Sequence, residues 1–238
     1  MNKLFRIIYS WSIITFLQRG RLITNFGNCS TNLTYTMEKG AVFPLFYLPS
    51  IEYFSKLLKH KDNLLIENAE NFQKQSYRNR AVIHSPNGVL NLIVPVIKGS
   101  KNHTLVKDVR ISYDFKWQRL HWMSLQTSYR SSAYFEYYED ELTNFFEKKW
   151  DFLFDYNEDL LHLLNRFLKI NISYNYTNSF ETTYPELDDY RESLHPKHVS
   201  DISFKPYFQV FEERNGFLPN LSIVDLIFNQ GPQSIKYL

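Results

Sequence analysis

The chain has 238 residues, of which 44% are hydrophobic and 22% are charged, a composition typical of one globular domain with or without a small appendage. Its single cysteine, Cys29, excludes a disulfide bond within the chain and effectively excludes a thiolate nucleophile or a zinc site built from cysteines. The formal net charge of +2 and the lack of a recognised binding motif argue against a nucleic-acid partner.

The first 36 residues differ in character from the rest of the chain. Two cations precede an apolar run, Ile7 to Leu17, which has the length of a signal-peptide core and is too short to span a membrane. No clean cleavage site follows this run. Two interpretations stay open: residues 1–36 are a degenerate signal or membrane anchor, or translation begins at Met37 and the segment is not native. We expect a single domain over residues 37–238 and no stable membrane insertion.

The residues that follow predict a β-α-β unit. The apolar run from Ala41 to Leu48 is typical of a strand that breaks into a loop at Pro44. Ser50 is a suitable N-cap for a helix whose apolar face includes Tyr53. Residues 63–67 form a second candidate strand, and a crossover of this length favours parallel pairing of the two strands.

A hairpin and several helices complete the predicted elements. Residues 80–84 and 89–97 are rich in β-branched and aliphatic side chains and flank an Asn87-Gly88 turn, which is a strong hairpin signal. From about Lys116 onward the pattern favours helices, over residues 115–129, 133–149, 152–168 and 222–229. We therefore predict an α/β fold with a small mixed sheet, a β-α-β start and a hairpin, followed by a largely helical second half.

The segment from Gln73 to Arg80 is the strongest candidate for a binding site. It carries Lys74, Arg78 and Arg80 among amides and hydroxyls, and side chains two residues apart project to the same side of an extended backbone. Each guanidinium offers a planar fork that suits a carboxylate or phosphate. The segment therefore predicts an anion site, although a solvated face or pairing with the chain's acidic residues would explain its charge equally well.

Two further places carry polar groups within apolar patterns. Trp117 and His121 share a helix face, where His121 would act as a general base or else be a packed histidine. Asp225 and Asn229 share a face of the last helix, and a buried aspartate there needs a partner, for which a cation of the Gln73–Arg80 segment is the natural candidate. A structural cap or salt bridge is the alternative. We predict no metal site.

Several separated motifs occur in one order along the chain. They are residues 46–54 (FYLPSIEYF), residues 72–80 (FQKQSYRNR), residues 94–99 (VPVIKG), Trp117-x-x-x-His121-Trp122 with Tyr129, and residues 220–232 (NLSIVDLIFNQGP). By these motifs the chain resembles the WbqC-like family of bacterial proteins from O-antigen and other surface-polysaccharide gene clusters. It departs from the family pattern at Phe43-Pro44, where Gln-Pro is usual, and at Tyr77, where Trp is usual.

The resemblance implies a cytoplasmic role in surface-glycan assembly, and transfer of glycine to a sugar intermediate has been suggested for the family. We therefore expect a transferase, acyl or aminoacyl, that acts on an anionic small molecule such as a nucleotide sugar or an activated acyl donor. The expected catalytic residues are His121, Asp225 and Tyr53. The expected substrate-binding residues are Lys74, Arg78, Asn79, Arg80, Lys98, Trp117 and Asn229. The alternative is a non-catalytic binding or scaffolding protein; the cofactor stays open, and a homo-oligomer is possible.

Overall fold

The strands of the described residues form two separate sheets. The computed structural model describes residues 39–97 and 103–238, and Lys39–Leu238 is one compact unit. A four-stranded sheet has the order β5-β2-β1-β6 and a two-stranded sheet pairs β3 with β4. The strands are β1 Ala41–Phe43, β2 Leu64–Ile66, β3 Arg80–Ser85, β4 Gly88–Ile93, β5 Asn175–Tyr176 and β6 Asp188–Asp189.

All neighbours in the four-stranded sheet run parallel. β1 pairs with β2 in the register Ala41 to Leu64, and β6 pairs with the other edge of β1. Every residue of β1 is buried, because both faces of the sheet are covered. β1 thus pairs with β2 on one side and with β6 on the other. Only α1 lies between β1 and β2 in the chain, whereas β6 follows α4 and β5. The carboxyl ends of all four strands meet at one edge, where open α/β sheets bind their ligands.

The helices follow the apolar periodicity of the sequence. They are α1 Ile51–Lys59, α2 Trp117–Tyr129, α3 Phe135–Glu147, α4 Leu153–Leu168, α5 Glu212–Asn215 and α6 Ile223–Gln230. Ser50 caps α1 by accepting a hydrogen bond from the Tyr53 amide at 3.4 Å. Asn220 also binds α1, since its side-chain oxygen accepts from the Glu52 amide at 3.0 Å. The Asn220 contact ties the start of α1 to the loop before α6.

The hairpin turns over Pro86 and Asn87, between the paired residues Ser85 and Gly88, within the turn that the sequence predicts. Gly88 has φ +95°, a conformation that a side chain would strain. β4 ends at Ile93, earlier than the predicted limit of Ile97, and the following residues form only an isolated bridge between Val96 and Ile111. Pro95 lacks the amide that a continued ladder would need.

The predicted fold class is confirmed: a small parallel sheet that starts with a β-α-β unit, a β-hairpin and a mostly helical second half. The strands are distributed over two sheets. None of the helices within the described ranges is long and apolar enough to cross a membrane. The interpretation of residues 1–36 and the binding role of Lys98 both fall outside the described residues.

Candidate functional site

A cavity of about 300 Å³ opens at the carboxyl edge of the parallel sheet. We call it the carboxyl-edge crevice. Segments that leave β2, β5 and β6 form its walls, and its lining is Glu70, Asn71, Phe72, Gln73, His103, Phe180, Thr182, Asp189, Arg191 and Glu192. This is the position at which the sheet topology predicts a ligand, and the Gln73–Arg80 segment reaches it through Gln73.

Arg78 lies beneath the crevice in a buried ion pair. Its Nε and Nη2 donate to the two carboxylate oxygens of Glu70, each at 2.6 Å, and its Nη1 donates to the Gln73 side chain at 3.0 Å. Nη2 also donates to the backbone oxygen of Arg191 at 3.2 Å. Burial raises the pKa of Glu70, and the Arg78 guanidinium opposes that shift. Arg78 is fully buried, so its fork faces an internal carboxylate instead of an external anion.

A second buried ion pair lies next to the first. Arg191 Nη1 donates to Glu67 at 3.0 Å, and Arg191 Nη2 donates to Asp189 at 2.6 Å. The same guanidinium donates to the backbone oxygens of Glu181 and Thr182 and lies 5.2 Å from the centre of the Phe180 ring. Arg191 therefore fixes the loop that forms one wall of the crevice.

These pairs decide the electrostatic character of the crevice. The lining contains three carboxylates, those of Glu70, Asp189 and Glu192, and a fourth, that of Glu67, lies below it. The two guanidinium groups of Arg78 and Arg191 balance two of these charges, so the formal net charge is −2. A lining of this charge repels phosphate and favours neutral or cationic groups. The expectation that Arg78 binds an anion directly is not supported by this geometry.

The predicted anion site also includes Lys74, Arg80 and Asn79, which take no part in these two buried ion pairs. Lys74 is exposed and Arg80 is half-buried, and neither makes a salt bridge with any described residue. Asn79 donates through its side chain to the Val94 oxygen at 2.9 Å, which joins the Gln73–Arg80 segment to the end of the hairpin. An anion-binding role for Lys74 and Arg80 stays a prediction.

His121 and Trp117 are neighbours in the structure, as the helix spacing predicts. Their ring centres lie 5.1 Å apart, and the Tyr47 hydroxyl is 2.9 Å from Nδ1 of His121. His121 is 7% exposed; burial lowers its pKa to about 4, while a hydrogen bond to the Ile93 backbone raises it. His121 is therefore neutral near pH 7 and is surrounded by protein partners, and Trp117 is fully buried.

Tyr53 is a structural side chain in this arrangement. It is fully buried, and its hydroxyl donates to the Pro44 oxygen at 3.0 Å. Its ring packs against Phe43 and Phe46, with centres 5.3 and 5.2 Å away. Tyr53 thus holds the loop that follows β1, and its catalytic role stays a prediction without support from these contacts.

Asp225 lies in a buried network of neutral donors. It accepts hydrogen bonds from the Tyr129 and Tyr207 hydroxyls, each at 2.7 Å, and from the side chains of Gln209 and Asn229 at 3.4 Å. The prediction that a cation of the Gln73–Arg80 segment pairs with Asp225 is wrong, because those tyrosines occupy the carboxylate and Arg78 binds Glu70. These partners are neutral, so they provide hydrogen bonds to the carboxylate oxygens of Asp225 but leave its negative charge uncompensated.

We expect Asp225 to make the free energy of unfolding depend on pH. Burial raises its pKa to about 6, although the bonds from Tyr207, Tyr129, Asn229 and Gln209 lower it. The folded protein therefore holds the proton of the Asp225 carboxyl more tightly than the unfolded chain does. The stabilisation that this proton gives to the folded state is complete below about pH 4 and is lost as the pH rises through 6. The change amounts to about 3 kcal/mol for a shift of this size.

Urea unfolding of the wild type and of Asp225→Asn at several pH values measures this effect. We expect the wild type to gain stability relative to Asp225→Asn as the pH falls. The difference between their free energies of unfolding, wild type minus variant, should be larger at pH 4 than at pH 7. A pH-independent difference for Asp225→Asn would contradict the raised pKa.

Several residues of the crevice were absent from the predicted site. Glu67 and Glu70 follow β2, and Arg191 follows β6. Their position after a strand is the sequence signal that could have identified them as site residues. Phe180 and Thr182 belong to a polar loop without a motif. Among the residues that the structure describes, no group of three or more His, Cys, Asp or Glu side chains could hold a metal ion.

Comparison with known proteins places the crevice inside a recognised sequence family. A model described as the WbqC-like protein family matches residues 46–196, which include the whole lining of the crevice but not Asp225. An uncharacterized protein of Mycobacterium tuberculosis, Rv1507c, is 26% identical over 228 residues, which cover 85% of this chain and 98% of that protein. No solved structure matches the chain.

Proposed function

This chain belongs to the WbqC-like protein family, and we propose that it is a cytoplasmic transferase of bacterial surface-polysaccharide biosynthesis. It would transfer an acyl or aminoacyl group, with glycine as one candidate, to a sugar or nucleotide-sugar intermediate. We assign the sugar to the carboxyl-edge crevice. The observation that carries this assignment is the combination of an exposed aromatic ring, amide and hydroxyl groups and carboxylates at the ligand-binding edge of a parallel sheet.

The lining supplies the contacts that a sugar ring needs. A sugar presents hydroxyl groups at its rim and C–H groups on its faces, so it binds where hydrogen-bonding side chains surround an aromatic ring. Phe180 is 52% exposed and has the Arg191 guanidinium 5.2 Å from its ring centre. Asn71, Thr182 and Glu192 offer an amide, a hydroxyl and a carboxylate. These groups support a neutral, hydroxylated ligand.

The proposal divides the predicted site residues into two groups. Lys74 and Arg80, which make no salt bridge with any described residue, are the candidates for the phosphate or carboxylate of an anionic substrate. Arg78 supports the floor of the crevice through Glu70. No contact among the described residues links His121 to the crevice, so we assign it no proton transfer there.

Surface glycan from a deletion strain tests the proposal. Mass spectrometry of that glycan should show the loss of one acyl or aminoacyl substituent, and the wild-type protein should restore it. Phe180→Ala should restore less than one tenth of the substituent, because the ring that orients the sugar is gone. Phe208→Ala removes another exposed ring, which lies outside the crevice, and should restore the substituent fully.

Two results would contradict the proposal. Unchanged glycan in the deletion strain would remove the transferase role, and full restoration by Phe180→Ala would remove the crevice as the site. Loss of the whole glycan instead of one substituent would favour the scaffolding alternative.

A further inference from the structure

A second cavity lies at the same edge of the sheet, next to β5. Its volume is about 250 Å³, and Tyr176, Thr177, Asn178, Ser179, Glu181 and Tyr184 line it. We call it the β5 cavity. Its lining combines two aromatic rings with hydroxyls, an amide and one carboxylate, and no cation occurs among the described lining residues. Both cavities thus combine aromatic rings with hydroxyl, amide and carboxylate groups.

A single strand of backbone separates the two cavities. Along the loop, Ser179 and Glu181 line the β5 cavity, whereas Phe180 and Thr182 line the carboxyl-edge crevice. Alternate residues face opposite sides, as they do in extended chain. We call residues 179–182 the partition; because its successive residues line the two cavities in turn, the cavities adjoin each other.

Both cavities rest on the same buried carboxylate. Glu67 accepts a hydrogen bond from the Thr177 hydroxyl at 2.7 Å on the side of the β5 cavity, and from Arg191 Nη1 at 3.0 Å on the side of the crevice. Arg191 Nη1 also donates to the Glu181 oxygen at 2.9 Å. The partition is therefore held by the groups that form the floor of both cavities.

The rings of the β5 cavity are oriented before a ligand binds. The hydroxyls of Tyr174 and Tyr176 both donate to Glu158, which lies on α4. The Tyr184 ring centre lies 4.7 Å from the Arg191 guanidinium, and the Tyr184 hydroxyl donates to the Ser179 oxygen at 3.4 Å. Fixed rings of this kind lose little conformational freedom when a sugar stacks on them.

We infer that the β5 cavity is a second sugar subsite, so that the ligand contains at least two linked sugar residues that span the partition. This inference rests on the proposed function of the carboxyl-edge crevice. Each cavity is at or below the lower end of the range for ligand pockets, roughly 300–1,000 Å³, and suits one sugar ring. Neither suits the diphosphate of a nucleotide sugar, because the described lining of both is acidic.

Fragments of the natural glycan provide the probes. Polysaccharide from the deletion strain is cut by mild acid, and the monosaccharide and disaccharide fractions are titrated into the purified full chain by calorimetry. We expect at least one disaccharide to bind tenfold or more tightly than either of its constituent monosaccharides. Asn178→Ala, at an exposed residue of the β5 cavity, and Tyr176→Ala should each lower the affinity for that disaccharide at least fivefold.

The controls separate the inference from the proposed function. Tyr137→Ala removes an exposed tyrosine of α3 and should leave the affinity unchanged, and thermal melts verify that each variant is folded. Equal affinities for disaccharides and monosaccharides, or an unchanged disaccharide affinity in both β5-cavity variants, would overturn the second subsite alone. If no fragment of either size binds, the crevice is not a sugar site and the proposed function also fails.

Discussion

Replacement of Arg78 with alanine is expected to lower the free energy of unfolding by about 3–5 kcal/mol. The change leaves the Glu70 carboxylate, a buried part of the crevice lining, without the guanidinium that binds both of its oxygens. A buried charge without a partner is among the most costly defects that one substitution can create. Urea unfolding followed by circular dichroism measures the loss.

A double variant shows whether the loss comes from the uncompensated charge. Arg78→Met combined with Glu70→Leu removes both charges at once, so it should destabilise the protein less than Arg78→Ala does. Lys74→Ala, at an exposed neighbour in the same segment, should change the free energy of unfolding by less than about 0.5 kcal/mol. If Arg78→Ala unfolded like the wild type and only lost affinity for an anion, the original interpretation of Arg78 as a phosphate ligand would return.

Replacement of Trp117 with alanine is expected to cost about 3–5 kcal/mol of folding free energy. The indole is fully buried and packs against His121 and Tyr156, with ring centres 5.1 and 5.9 Å away. Alanine would leave a cavity next to the Tyr47–His121 hydrogen bond. Chemical denaturation gives the size of the effect.

Trp117→Phe is the matched control for this cavity. It keeps one aromatic ring, and the indole nitrogen that it removes has no hydrogen-bond partner among the described residues, so the remaining cavity is smaller and the loss should stay below that of alanine. Met123→Ala tests the exposed face of the same helix and should be close to neutral. A Trp117→Ala protein that keeps its stability and loses ligand affinity would instead support the predicted substrate-binding role.

Local signals were sufficient for much of the fold. Ser50 marks the start of α1, the Asn87-Gly88 pair marks the hairpin turn, and apolar periodicity marks α2 to α4 and α6. β5 and β6 had no such signal, because two residues cannot show an alternating pattern. Asn175–Tyr176 and Asp188–Asp189 are strands only because the edges of β2 and β1 supply their hydrogen-bond partners.

The site was harder to predict because its charges are paired over long distances in the chain. The cations of the Gln73–Arg80 segment predicted an anion site, but Glu67 and Glu70 lie just before that segment and Asp189 lies far beyond it. Folding brings these carboxylates to the guanidinium groups and reverses the sign of the local charge. Residue types identify the segment as rich in cations and amides, whereas the partners of those groups depend on the tertiary structure.

The order of the strands in the parallel sheet has a consequence for synthesis of the protein. β1 and β2 emerge first, and Asn175 at the start of β5 lies 109 positions after Ile66 at the end of β2. At roughly 5–20 residues per second, the inner strands wait about 5–20 s for the two strands that complete the sheet. During that interval both of their edges can pair with other chains. Expression at low temperature with a chaperone that binds nascent chains should therefore raise the yield of folded protein.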